Sequence, residues 1–236
     1  LSVHMGHKDF IFYKEKGIKK VPREYSELYE WAKYSPDVNF KNACKKVDIE
    51  NFTSFWVFTV FMGNSDPYQG IALFNRHDPD AKWFWLLWDV DHCLVNIYEN
   101  DKQHIWQKER PVNLIAGDVE KKTDPRYSLF RRLMLYDREY RAFFTKRFTE
   151  AVNYKLDRDF LFSVTDYYTG IADSFGMELR DAKNILHDFM TNRPLYAMQL
   201  MDKYFWLGKV YQVEFSIPKG HFLEIDGFNI SRSFTA

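Results

Sequence analysis

Between Asp48 and Met62 the positions Phe52, Phe55, Trp56, Thr59 and Val60 recur at intervals of three and four, which is the spacing of one face of an α-helix. Asp48 suits the N-cap, Glu50 sits favourably in the first turn, and Gly63-Asn64 ends the element. The pattern then changes to that of a hairpin. Gln69 to Arg76 reads as a strand, His77-Asp78-Pro79-Asp80 has turn chemistry, and Lys82 to Val90 reads as a second strand. The run WFWLLW in that second strand does not alternate with polar residues, so a central strand covered on both faces is expected.

The flanking chain divides by the same criterion. Leu1 to Lys20 has extended character, with Phe10 and Phe12 on one face. Pro22 to Tyr34 is a helix whose Tyr25, Leu28, Tyr29 and Ala32 share a side, and Ser35 to Lys46 links it to the central helix. The stretch 97–125 is polar, rich in charges of both signs and broken by Pro111, Gly117 and Pro125. It reads as a long loop, either a solvated excursion or a segment that docks partners. Helical spacing then dominates: Tyr127–Tyr136, Arg138–Tyr154, Arg158–Phe175, Leu179–Thr191 and Leu195–Phe205, with Asp137, Asp157 and Asn192 as caps or breaks. From Lys209 to Ile230 the period returns to two, which predicts a small antiparallel sheet. The fold class is therefore α+β and mainly helical, with a buried β-hairpin and a small C-terminal antiparallel sheet.

Candidate chemistry gathers where the hairpin opens. Asp66 precedes Pro67 on the turn leaving the central helix, and Asp89 and Asp91 end the apolar strand on the same side of it. With a turn near Pro79, antiparallel pairing places Asp89 opposite Tyr68 to Gly70, and the carboxylates of Asp66 and Asp89 roughly 6 to 12 Å apart. That separation suits a metal-phosphate site. A turn-forming or helix-capping role is open to Asp66, while Asp89, inside LLWDVD, requires a cation, a metal or backbone donors nearby.

Composition narrows the partners. Lys plus Arg and Asp plus Glu are both 33, so no net charge calls for nucleic acid or an anionic membrane. No apolar run is long enough to span a bilayer. The chain starts at Leu1 without a leader and reads as part of a longer protein. Cys44 and Cys93 allow at most one disulfide and lack metal-ligand spacing. Aromatic residues make up 19%, enough to build a core or, alternatively, a sugar-stacking surface.

The segments VDIENFTSFWVFTVFMGNSDP and KWFWLLWDVD resemble the spore coat protein H (CotH) kinase family, in which a helix is followed by a GN-x-D turn, a strand and a W-D-x-D or W-D-x-N motif. Weaker similarity runs through YSLFRRLMLYDREYRAFFTKRFTEAVN and FMTNRPLYAMQLMDKYF, so the resemblance covers roughly Val47 to Phe205. It implies a protein-kinase-like C-terminal lobe. Residues 1–206 would be the C-terminal part of a CotH-like kinase domain whose upstream nucleotide-binding part is mostly absent, and 207–236 a small β appendage.

The resemblance also implies roles. Asp66 matches the catalytic-loop Asp of protein kinases, Asp89 the metal-binding Asp, and Asp91 a position that varies between Asp and Asn. Gln69 stands near where the family has an Asn that would be the second metal ligand, which makes it a cofactor-binding candidate. Phosphate would pass from ATP, with Mg or Mn, to a Ser or Thr hydroxyl of a protein substrate. The family name points to a bacterial spore coat or cell-surface setting. Two further readings stay open: a degenerate, non-catalytic scaffold, and a cell-surface or carbohydrate-binding module that uses exposed Trp and Tyr. The loop 97–125 would correspond to an activation segment, and Arg193, before Pro194, is the basic residue singled out from an otherwise ordinary set.

Overall fold

In the computed structural model, the described residues are 10–14, 22–64, 70–88, 90, 92–93, 105–107, 109, 112, 115, 124–156, 158–177, 180–208, 213–225, 228–230 and 234–235. Helices dominate them. The first is α1, Arg23–Tyr34, which follows Pro22 and buries Tyr25, Leu28 and Ala32. A short α2, Phe40–Lys46, occupies part of the expected link; its start is set by Asn39, whose side chain accepts a hydrogen bond from the Asn42 N–H. The central α3, Ile49–Phe61, is capped by Asp48 through the Asn51 N–H, and nearly its whole circumference is buried.

Strands β1 (Phe10–Lys14), β2 (Gly70–Asn75) and β3 (Phe84–Leu87) form one antiparallel sheet in the order β1-β2-β3. The expected hairpin is present, with Gly70 opposite Leu87 and Leu73 opposite Phe84. The turn uses Asp78, whose carboxylate accepts from the Asp80 N–H. The expectation that the Trp83 to Trp88 run is a central strand covered on both faces is corrected. Among the described residues the centre is β2, because β1 adds to its other side, and β3 lies at the edge, with Leu86, Leu87 and Trp88 each at least 40% exposed. An apolar run read without its neighbours does not distinguish the middle of a sheet from an edge whose apolar residues stay exposed.

The edge of β3 is nonetheless partly occupied. The Trp83 N–H donates to Lys46 O and the Asp48 N–H to Trp83 O, while the Asn51 side chain both donates to Trp85 O and accepts from the Trp85 N–H. Helix α3 is thereby tied to the hairpin at its N-terminal end.

The C-terminal helices are α4 (Pro125–Tyr136), α5 (Arg138–Glu150), α6 (Arg158–Ser174) and α7 (Arg180–Phe205), with a π-helical stretch, Ala151–Lys155, following α5. Two expected helices, Leu179–Thr191 and Leu195–Phe205, are one continuous α7, and Asn192 is not a break. Pro194 removes a backbone donor and costs about 3 kcal/mol in a helix interior. Against this, Phe189 and Met190 before it and Ala197, Leu200, Met201 and Phe205 after it are all buried, in one continuous helical period. Large apolar side chains contribute about 1.5 to 3 kcal/mol each on burial, so the shared face outweighs the proline.

The core is aromatic, as the composition allows. Trp56 stacks on Phe130 at 4.8 Å, meets Tyr127 edge-on at 5.2 Å, and Phe52 joins them to Trp85 of β3 at 5.4 Å. Tyr140 is buried within this cluster beside Thr53, and that burial raises its pKa above the ordinary phenol range. Helix α6 is the exception: none of its residues is buried, and Phe160, Tyr167 and Tyr168 stand exposed on it. After α7, β4 (Glu214–Phe215) pairs with β7 (Phe234–Thr235), and β5 (Leu223–Ile225) with β6 (Phe228–Ile230). The tail is therefore strand-forming as expected, in two antiparallel pairs among the described residues.

Candidate active site

The exit from α3 is built from its own backbone. Met62 is the C-cap, Gly63 adopts φ 60°, its N–H donates to Val60 O at 3.3 Å, and the Asn64 N–H donates to Thr59 O at 3.2 Å. This is the Schellman arrangement, which needs a left-handed residue after the helix and so favours glycine. Gly63-Asn64 therefore does what the sequence predicts. It turns the chain out of a largely buried helix just ahead of Asp66.

A side chain from far along the chain completes the turn. Arg193 of α7 is fully buried, and its guanidinium donates from Nε to Phe61 O at 2.8 Å, from Nη2 to Val60 O at 2.6 Å and from Nη1 to Trp106 O at 2.7 Å. The first two acceptors are terminal carbonyls of α3, where a cation also complements the helix dipole. Burial pushes the Arg193 pKa down to about 10, which still leaves the group charged near neutrality.

Two other arginines of the basic region act the same way on other helices. Arg132 donates to Ala32 O and Lys33 O at the end of α1, and Arg141 to Met134 O and Leu135 O at the end of α4. These side chains are helix caps.

On the hairpin side, pairing runs as far as Gly70 opposite Leu87. A Cβ added to Gly70 would lie 2.3 Å from Nη1 of Arg126. Arg126 is itself buried and held by Asp124, whose Oδ2 accepts from Nε at 2.8 Å and also from Nη2. Asp124 further accepts from the Arg126 N–H at 2.9 Å and from Tyr25 Oη at 3.2 Å, and the guanidinium lies over the Phe55 ring at 5.0 Å. Desolvation alone would lower the Arg126 pKa, but the adjoining Asp124 carboxylate raises it above its ordinary value. The base of the hairpin thus rests on a buried ion pair. The signal for it in the sequence is Asp124-Pro125, an N-cap followed by proline at the first helical position.

Two described positions after β3, Trp106 and Glu109, are anchored to α7. The turn Ile105–Gln107 receives the Arg193 bond at Trp106, whose ring meets Tyr196 edge-on at 5.5 Å. Glu109 accepts from Lys203 Nζ at 2.9 Å and from Tyr204 Oη at 2.8 Å, and Val112 and Ile115 are buried. The Lys203 hydrogen bond is the main reason the Glu109 carboxyl sits below its usual range. The reading of 97–125 as a solvated excursion is overturned at these positions.

The four residues assigned to chemistry, Asp66, Gln69, Asp89 and Asp91, lie outside the described residues. The structure describes what flanks them: the capped end of α3 before Asp66, the first pair of the hairpin after Gln69, and the end of β3 before Asp89. Because β2 and β3 are antiparallel, the start of one and the end of the other are at the same end of the hairpin. Among the described residues no group of three or more His, Cys, Asp or Glu could hold a metal ion, and no helix is long and apolar enough to cross a membrane. Cys44 and Cys93 are not joined in a disulfide.

No curated protein and no solved structure matches this chain. A family model described as CotH kinase protein matches residues 10–196, from β1 through the proline of α7, and by that match the chain belongs to the CotH kinase family.

Proposed function

We propose that the protein transfers phosphate from metal-bound ATP to a Ser or Thr hydroxyl of a protein substrate. In this reading Asp66 orients the acceptor hydroxyl or takes its proton. Asp89 and Asp91 would hold Mg²⁺ or Mn²⁺, and Gln69 would supply an amide oxygen on the cofactor side. That donor set is all oxygen, which suits these hard cations, and when bound they neutralise charge on the phosphates. What remains for the protein is positioning. Residues 1–206 are then the C-terminal part of the kinase domain, and 207–236 a β appendage.

The observation that carries the reading, beside the family match, is the architecture around these positions. The turn ahead of Asp66 is held by buried hydrogen bonds from Arg193, and the strand ahead of Asp89, whose end lies at the open end of the hairpin, by part-buried hydrogen bonds from Asn51.

A second reading, the non-catalytic scaffold of the same fold, has one observation in its favour. The position after Gln69 has no room for a ligand side chain, because Gly70 closes on the pinned Arg126. Any oxygen that replaces the family's Asn must come from Gln69 or from water.

Calorimetry on the full-length protein with Mg-ATP and Mn-ATP separates the two. Under the kinase reading nucleotide binding requires the metal and is abolished by Asp89→Ala. Asp66→Ala leaves binding within a few-fold and removes transfer, since its contact is with the acceptor. Absence of metal-dependent nucleotide binding in the unaltered protein selects the scaffold.

A further inference from the structure

We propose that Arg193 is a positioning residue that locks the turn leaving α3 to the segment following β3, so that the two sides of the site keep a fixed spacing; its catalytic consequence rests on the kinase reading above. Among the described residues, its guanidinium donates to two stretches that are remote in sequence, Val60 and Phe61 at the end of α3 and Trp106 in the turn Ile105–Gln107. One of these leads to Asp66. The other lies beyond Asp89 and Asp91.

The clamp is itself held rigidly. Arg193 is fully buried, its guanidinium lies 5.9 Å from the Phe189 ring centre and 5.8 Å from that of Tyr196, and Tyr196 in turn contacts Trp106. A rotation of α7 therefore moves the ring and the clamp together. The side-chain type matters as much as the charge. A planar guanidinium presents donors in several directions at once, whereas an ammonium is a single point and reaches one segment or the other. Desolvation of a cation among carbonyls is costly, and an arginine used only to fill the core would be replaceable by an apolar residue without effect on the two segments.

The test is Arg193→Lys in the full-length protein, which keeps the charge and most of the volume but removes the bridge. Hydrogen exchange followed by mass spectrometry should show the segments 62–64 and 105–107 loosening together, by roughly tenfold, with α4 and α5 unchanged. ADP formation from Mg-ATP should lose on the order of tenfold to hundredfold in kcat, with KM for ATP within about twofold, because misplacement affects the reacting geometry and not the nucleotide grip. Loosening of one segment without the other, or an unchanged kcat, overturns the proposal.

If the unaltered protein forms no ADP, the kinase reading fails by itself, and the exchange result still decides whether Arg193 couples the segments. If the lysine variant does not fold, native-state exchange on the unaltered protein decides. Amides of 62–64 and of 105–107 should then open with one free energy and one denaturant dependence, and separate openings refute the clamp.

Discussion

Several residues here are chosen for the space or the donors that a neighbour requires. Gly70 is the clearest case. The approach of Arg126 leaves no room for a methyl group, and the ion pair with Asp124 prevents the guanidinium from retreating. Gly70→Ala is expected to cost about 1–3 kcal/mol through overpacking, read from the urea midpoint. Gly170 supplies the contrast, since a Cβ there meets nothing within 4 Å and the residue lies inside α6. Gly170→Ala should raise stability by about 0.5–1 kcal/mol. Equal effects at the two positions would mean that Arg126 is freer than its partners imply.

At the level of elements, helix ends and the sheet edge are joined by side chains that imitate backbone. Asn51 is an example on the first turn of α3: its amide pairs with both the N–H and the C=O of Trp85, at 2.7 and 2.9 Å, as a neighbouring strand would. The Trp85 side chain is buried against Phe52, so the helix and the edge strand share one contact surface. Asn51→Ala removes both partners from a partly buried peptide unit and should lower stability by about 1–3 kcal/mol. The measurement is urea unfolding followed by tryptophan fluorescence and by circular dichroism. A change below about 0.5 kcal/mol would show that water replaces the amide without loss.

For the molecule as a whole, α7 is the element on which distant parts converge. It caps α3 through Arg193, holds Trp106 through the same side chain, and holds Glu109 through Lys203 and Tyr204. The last contact has a pH signature. The Glu109 pKa is depressed below its usual value of 4.5, with the Lys203 hydrogen bond the largest cause, although burial opposes it. A depressed carboxyl contributes stability that is complete above the unfolded value and is lost as pH falls through the folded one. Amide exchange around 105–109, corrected for its intrinsic pH dependence, should therefore quicken below pH 4.5 relative to the core of α7. Glu109→Gln should remove that dependence. A variant with the same acid profile as the unaltered protein would assign the effect to another group.

Much of this was legible in the pattern of side chains. The limits of α3, its Asp48 cap, its Gly63-Asn64 stop, the hairpin and the helical second half follow from local rules: period, capping oxygens and the freedom of glycine at positive φ. The same residues, with the GN-x-D and W-D-x-D motifs, carried the family resemblance that the match over residues 10–196 bears out. Three features depended on contacts distant in sequence. β2 rather than β3 became the central strand because β1 arrived on its far side, α7 ran through Pro194 because buried residues on both sides outweighed one lost backbone bond, and Arg132 and Arg193 became caps because helix ends lay within their reach. Periodicity reports which face of an element is apolar. It does not report what that face meets, and only the tertiary structure decided which strand was central, which loop was anchored and where each buried charge found its partners.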